Sequence, residues 1–208
     1  MSRPRQPSTS LRLRWLAWRA RWSVPSLLAA HDERRVVSVV VAVNGGLAIL
    51  VVGLLAWFTD LPLLFPALGP TAFILFSKPF SADATPRSVV LGHFTAMISG
   101  VVVRHLVGLV CGNPISLESA GWPIFCSASL ALAATCLLLV WLSCPHAPAC
   151  ASALILAVGA VDDWRGLLAM AVGVVILTLQ AVCVNRFACL NVPVWSRGRK
   201  DADQPTSD

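Results

Sequence analysis

Between residues 36 and 187 the apolar residues come in long blocks, without the alternation of a strand or the one-sided spacing of a surface helix. Four blocks, about 36–58, 87–111, 121–142 and 165–187, are long enough as helices to cross a ~30 Å hydrocarbon core. Two others are short. The block at about 62–77 is interrupted by Pro66, Gly69 and Pro70, and the block at about 146–160 opens on a proline-rich break. The order long, short, long therefore occurs twice. Laying FPALGPTAFIL (65–75) on HAPACASALIL (146–156) pairs Ala72 with Ala153, Ile74 with Ile155, Leu75 with Leu156 and the hydroxyl of Thr71 with that of Ser152. The pattern predicts an all-α, polytopic transmembrane helical bundle with four long spans and two short Pro/Gly-broken segments. It is organised as an inverted repeat with halves at about 36–111 and 121–187. Paired broken segments at matching places in two halves are the sequence mark of a transporter site near the bilayer midplane.

Composition agrees. Of 208 residues 57% are hydrophobic and only 12% charged, with a mean hydropathy of +0.75, whereas a soluble domain carries about 25% charged residues. A transmembrane barrel would show short alternating segments instead. The domain plan is a basic N-terminal segment, 1–35, a membrane domain, 36–190, and a polar C-terminal tail, 191–208.

Charge sets the expected orientation. Eight of the sixteen basic residues precede residue 36, and four more, Arg186, Arg197, Arg199 and Lys200, lie at the end of the last block or beyond it. Basic flanks stay on the cytoplasmic side. If all six blocks cross, the loop holding Lys78 and Arg87 is also cytoplasmic, and the 112–120 loop, which has Glu118 and no basic residue, lies outside. Re-entrant short segments would reverse those two loops. The six-crossing arrangement is favoured, with both termini cytoplasmic in the plasma membrane or, alternatively, an organelle inner membrane. LRLRWLAWRARW (11–22) reads as an amphipathic helix on an anionic leaflet. A nucleic-acid arm is the rival reading of such a cluster and is set aside beside a membrane domain.

The ten acidic residues all lie in tails, loops or segment ends, which excludes the carboxylate relays of many cation carriers. Polar groups at membrane depth are Asn44, Thr71, Ser77, His93, Arg104, His105, His146, Ser152 and Gln180. An intramembrane inventory that is cationic or neutral suits an anion. Arg104 and His105 read as snorkelling to the outer interface. His93, two turns into its helix, either bonds a neighbouring helix or lines a pathway. His146 either caps backbone amides or gates a site. Gly69, Pro70 and Thr71 open a helix whose N-terminus favours an anion. A pathway imidazole at His93 is expected to contribute little to packing, so that His93→Ala would spare folding. The seven cysteines contain no CxxC, and Cys144 and Cys150 around His146 match no zinc spacing. No metal, no cofactor and no enzymatic activity are expected.

FPALGPTAFILF, KPFSADATPRSVVLGHFTAMISG and PHAPACASALI, in this order, resemble the motifs of the HPP family of small integral membrane proteins across about residues 36–187. Gly69, Pro70 and Thr71 match the first motif, Pro86, Arg87, Gly92 and His93 the second, and His146, Pro148 and Ala149 the third. Ala147 stands where the family has the first proline of HPP, Cys150 replaces a glycine and Ser152 a threonine. The resemblance implies a membrane protein of four spans and an anion permease, some plant members being implicated in chloroplast nitrite transport. The binding residues expected are Gly69, Pro70, Thr71, Arg87, His93, His146, Pro148 and Ser152. Expected partners are the lipid bilayer and a small inorganic anion such as nitrite, with a homo-oligomer of the chain as a further option. A non-transporting scaffold or regulatory subunit is the alternative function, and a His/Cys redox protein a weaker third.

Overall fold

The computed structural model describes residues 23–118 and 121–196. The amphipathic stretch 11–22 and the last residues of the tail lie outside the described residues. The described residues form seven α-helices: α1 (Val24–Ala30), α2 (Glu33–Thr59), α3 (Leu68–Ser77), α4 (Pro86–Cys111), α5 (Trp122–Trp141), α6 (Ala149–Ala157) and α7 (Trp164–Phe187), with a 3-10 turn at Ala82–Ala84. No strand occurs among the described residues.

The four long apolar blocks are the four helices long and apolar enough to cross a membrane: α2, α4, α5 and α7. Their ends follow local chemistry. The Asp32 side chain accepts the Arg35 N–H at 3.0 Å, so α2 starts three residues before its apolar block. Thr85 accepts the Ser88 N–H at 3.2 Å ahead of Pro86, a proline at the one helical position where its missing N–H costs nothing. Asp163 accepts the Gly166 N–H at 3.1 Å. Gly112, at φ 73°, closes α4 in the left-handed region that glycine adopts without strain.

The short helices have ten and nine residues, or roughly 15 Å at 1.5 Å per residue, half a bilayer core. Each is preceded by an irregular stretch, 60–67 before α3 and 142–148 before α6. Irregular backbone at membrane depth is tolerated only where protein surrounds it. Leu63, Ala67, Cys144, His146 and Pro148 are accordingly buried.

The breaks leave carbonyls that no helix satisfies, and polar side chains supply the donors. Asn185 Nδ2 donates to Leu75 C=O at 3.0 Å and Ser127 Oγ to Ala157 C=O at 2.7 Å. Arg87 donates to Ser143 and Leu142 C=O, both at 2.9 Å, and Arg104 to Val161 C=O at 3.2 Å. Where water is absent, an unpaired carbonyl costs several kcal/mol. These four residues hold the broken segments in place.

Three buried apolar clusters result. Ala48 and Val52 of α2, Ala72 and Leu75 of α3, and Leu177 and Ala181 of α7 belong to the first; Ala96 of α4, Leu139 of α5, and Ala149 and Ala153 of α6 belong to the second; Met97 of α4, Leu156 of α6 and Met170 of α7 form the third. The second is built on alanines, as membrane interfaces between close helices are. Val39, Val43, Leu47, Leu50 and Leu54 of α2 point outward, an apolar stripe of the kind a membrane-spanning helix presents. Trp57, Trp122, Trp141 and Trp164, near helix ends, are between 63% and 80% exposed, the placing of interfacial aromatic belts.

The start of α1 and the end of α7 meet at one end of the bundle, where the Val24 N–H donates to Ala188 C=O at 3.2 Å. The tail's first residues return to the same end: the Arg87 N–H donates to Trp195 C=O at 2.9 Å, and Val192 is buried. At the other end Gly159 lies against Ile115 and Ser116, beside Arg104. The stretch from Ser143 to Val161 thus follows α4 from its first turn, at Arg87, to its last third, at Arg104.

Candidate functional site

Thr71 and Ser152 occupy the fourth position of their short helices, counting from Leu68 and Ala149. Both hydroxyls point into the protein and meet the same imidazole. His93 Nε2 lies 3.1 Å from Thr71 Oγ1, and His93 Nδ1 lies 2.8 Å from Ser152 Oγ. The second imidazole joins at Thr71: His146 Nε2 is 3.2 Å from Thr71 Oγ1, and His146 Nδ1 is 2.8 Å from the carbonyl oxygen of Asp83. The two rings are 5.1 Å apart between centroids, and Phe65 stands edge-on to His93 at 6.3 Å. Thr71, His93, His146 and Ser152 are all at 0% exposure.

Gly92 explains how α4 comes so close. A Cβ there would lie 3.1 Å from His146 Cβ and 3.5 Å from Ala149 Cβ. The Gly-His pair at 92–93 thus supplies one imidazole and makes room for the other.

The proton positions follow from the acceptors. A carbonyl oxygen only accepts, so His146 Nδ1 carries a hydrogen and, in a neutral ring, Nε2 is bare. Thr71 has one hydrogen and two acceptors in reach: it donates to Ala67 C=O at 2.7 Å, and a rotation of the hydroxyl would turn the hydrogen to His146 Nε2 at 3.2 Å. In either position its oxygen accepts from His93 Nε2–H, which leaves His93 Nδ1 to accept from Ser152. With the hydrogen on His146 the bonds run one way, from Ser152 through His93, Thr71 and His146 to Asp83 C=O.

The remaining expected site residues divide. Pro148 is buried as the N-cap of α6 and sets the helix start that points Ser152 inward. Gly69 and Pro70 are exposed, and a Cβ at Gly69 would meet nothing within 4 Å. Gly69 is therefore not a point of close backbone approach to the cluster, and it instead borders an outward-facing cavity of about 330 Å3 with Ile49, Leu64, Phe65 and Pro66. Arg87 is also not brought to the imidazoles. It lies six residues from His93 on one helix, hence on another face, and its terminal nitrogens donate to the Leu142 and Ser143 carbonyls just past the end of α5. A second cavity, about 480 Å3, lies on the His146 side and is bounded by Asp83, Cys136, His146 and Cys150 among others. Asp83 was not legible as a participant because its backbone, not its side chain, takes part. Among the described residues no group of three or more His, Cys, Asp or Glu is placed to hold a metal ion.

The family model of the HPP transmembrane region matches residues 31–192. The chain belongs to the HPP family. Its match takes in all three motifs and every residue of the His–Thr–His–Ser cluster, so the PR…GH and HPP-like motifs of this HPP protein are the two sources of imidazole. Among curated proteins it is similar to a transmembrane protein of Dictyostelium discoideum, 32% identical over 133 residues, covering 62% of this chain and 43% of that protein. A second transmembrane protein of the same organism is 31% identical over 129 residues, 60% of this chain and 38% of its own length. The HPP chain thus spans less than half of these relatives. No solved structure matches it.

Proposed function

We propose that this HPP protein is a permease for small inorganic anions of the nitrite type. The observation that carries the reading is the meeting of Thr71 and Ser152, the matching hydroxyls of two broken helices, on the two nitrogens of His93. Hydroxyls and imidazoles offer hydrogen-bond donors to an anion, and the absence of a carboxylate within the apolar blocks removes the group that would repel one. The two cavities border matching stretches: 64–66 with Gly69 on one side, 145–147 with Cys150 on the other.

The inverted repeat belongs to this proposal. Phe65 to His146 and Gly92 to Gly173 are both steps of 81 residues (146 − 65 and 173 − 92). Gly92 of the first half abuts His146 of the second, and Gly173 of the second abuts Leu63 and Phe65 of the first. Each short segment crosses with its irregular lead-in, giving six passes with both termini on the cytoplasmic side of the plasma membrane. Cysteine placed at Asp83 on a cysteine-free background should then resist an impermeant maleimide applied to intact cells. Labelling from outside would refute this orientation.

Function is tested by uptake of nitrite into proteoliposomes down its concentration gradient, with protein-free liposomes subtracted. Uptake well above that background is expected. Uptake equal to background for nitrite, nitrate and halides would eliminate the permease reading and favour a scaffold.

A further inference from the structure

An anion reaching Thr71 and the two imidazoles meets no fixed positive charge. Arg87 and Arg104 are turned onto carbonyls of the broken segments. An unbalanced charge in a site shielded from water is costly, and the cost falls when an opposite charge accompanies it. The cluster has one way of acquiring that charge, which is to take up a proton. We propose that His93, Thr71 and His146 bind one proton with each monovalent anion, making the protein an electroneutral anion–proton symporter. This rests on the permease reading above.

The hydrogen-bond geometry accommodates both protonation states. In the neutral state Thr71 can turn its hydrogen to His146 Nε2, and Ala67 C=O keeps the Thr71 N–H at 3.3 Å. When His146 is protonated, Nε2 carries a hydrogen and points it at Thr71. The hydroxyl then turns to Ala67 C=O, 2.7 Å away, and its oxygen accepts from both imidazoles. No polar group loses its last partner in either state, so a rotation of one hydroxyl switches the cluster between them. The proton taken up sits on His146 Nε2 while the Nδ1 hydrogen stays bonded to Asp83 C=O, and that proton leaves from the same Nε2 when the anion leaves.

Few other ionisable groups face the pair. The 3-10 turn contributes Asp83, α5 Cys136 and α6 Cys150, all on the cavity beside His146. Cys144, just before His146, lies toward Arg87. The α3 helix offers Thr71 and nothing titratable, and α7 carries Arg165, Cys183 and Arg186 toward its two ends. No charge from α3 or the middle of α7 competes with the proton.

The test measures nitrate and nitrite uptake by full-length protein in proteoliposomes, subtracting protein-free vesicles to remove the leak of nitrous acid. One arm imposes an acid-outside pH gradient with the potential clamped by valinomycin and equal potassium. The other imposes an inside-positive potential at equal pH. Symport predicts uptake in the first arm that exceeds uptake at equal pH and is accompanied by internal acidification, and in the second arm no more uptake than at zero potential. Thr71→Val should lower uptake in the first arm at least tenfold and Thr71→Ser should retain it. Ser152→Ala, which removes the donor on His93 Nδ1, should show the same loss if the valine variant fails to fold. Potential-driven uptake that ignores the pH gradient would overturn the symport and leave the permease standing. Full activity of both hydroxyl-deleted variants would also overturn it. No uptake of either anion in either arm would remove both readings together.

Discussion

Replacing His93 by leucine is expected to abolish anion uptake and to lower the thermal midpoint of the detergent-purified protein by roughly 5–15 °C. The reasoning begins with shape. Leucine is similar in bulk to an imidazole, so the loss will not come chiefly from an empty cavity. It comes from the partners left behind. Ser152 Oγ loses its 2.8 Å partner inside a fully buried cluster, and an orphaned buried polar group costs about 1–3 kcal/mol. Thr71 Oγ1 loses a 3.1 Å bond, worth about 1 kcal/mol, and keeps Ala67 C=O and His146. A chain of about 200 residues shifts by about 2–4 °C per kcal/mol. This reverses what the sequence suggests, namely that His93→Ala would spare folding. An imidazole with no exposed surface, two hydrogen bonds and an aromatic edge against it is part of the packing as well as of the pathway. His93→Gln, which restores a donor and an acceptor, should recover much of the midpoint but not the uptake. A leucine variant with wild-type stability would mean that the hydroxyls find other partners and that the network is not obligatory.

Gly100→Leu is expected to prevent folding, and Gly100→Ala to destabilise by about 1–3 kcal/mol, the usual cost of overpacking. A Cβ at Gly100 would sit 2.6 Å from the Ala153 carbonyl oxygen and 2.9 Å from Leu156 Cβ. Neither neighbour is the free end of a flexible side chain, so the whole of α6 would have to move. That movement would carry Ser152 away from His93. Gly100→Ala should therefore lower uptake as well as the midpoint. The control is Gly45→Ala, where nothing lies within 4 Å of the new Cβ. There the better helix propensity of alanine, worth about 1 kcal/mol, should leave the protein unchanged or slightly more stable. Both variants are read by thermal shift in detergent and by recovery of monodisperse protein. Equal behaviour of Gly100→Ala and Gly45→Ala would show that α4 and α6 do not press together as described.

The sequence by itself determined the membrane class, the four long helices and the two broken segments, because block length and turn residues are local properties. Helix starts moved by only a few residues, to wherever Asp32, Thr85 or Asp163 could cap. The pairing of Thr71 with Ser152 was visible as two hydroxyls at matching places. That His93 lies between them was not, since a position on one helix says nothing about what a second brings against it. The same limit misplaced Arg87 and Gly69. Arg87 is bound to carbonyls that exist only because α5 ends beside it. Gly69, in a prominent motif, faces open space, whereas Gly92 and Gly100 carry the close contacts with the second short segment. The tertiary structure decided which polar groups would be withdrawn from water together, and so which could be left only with one another as partners.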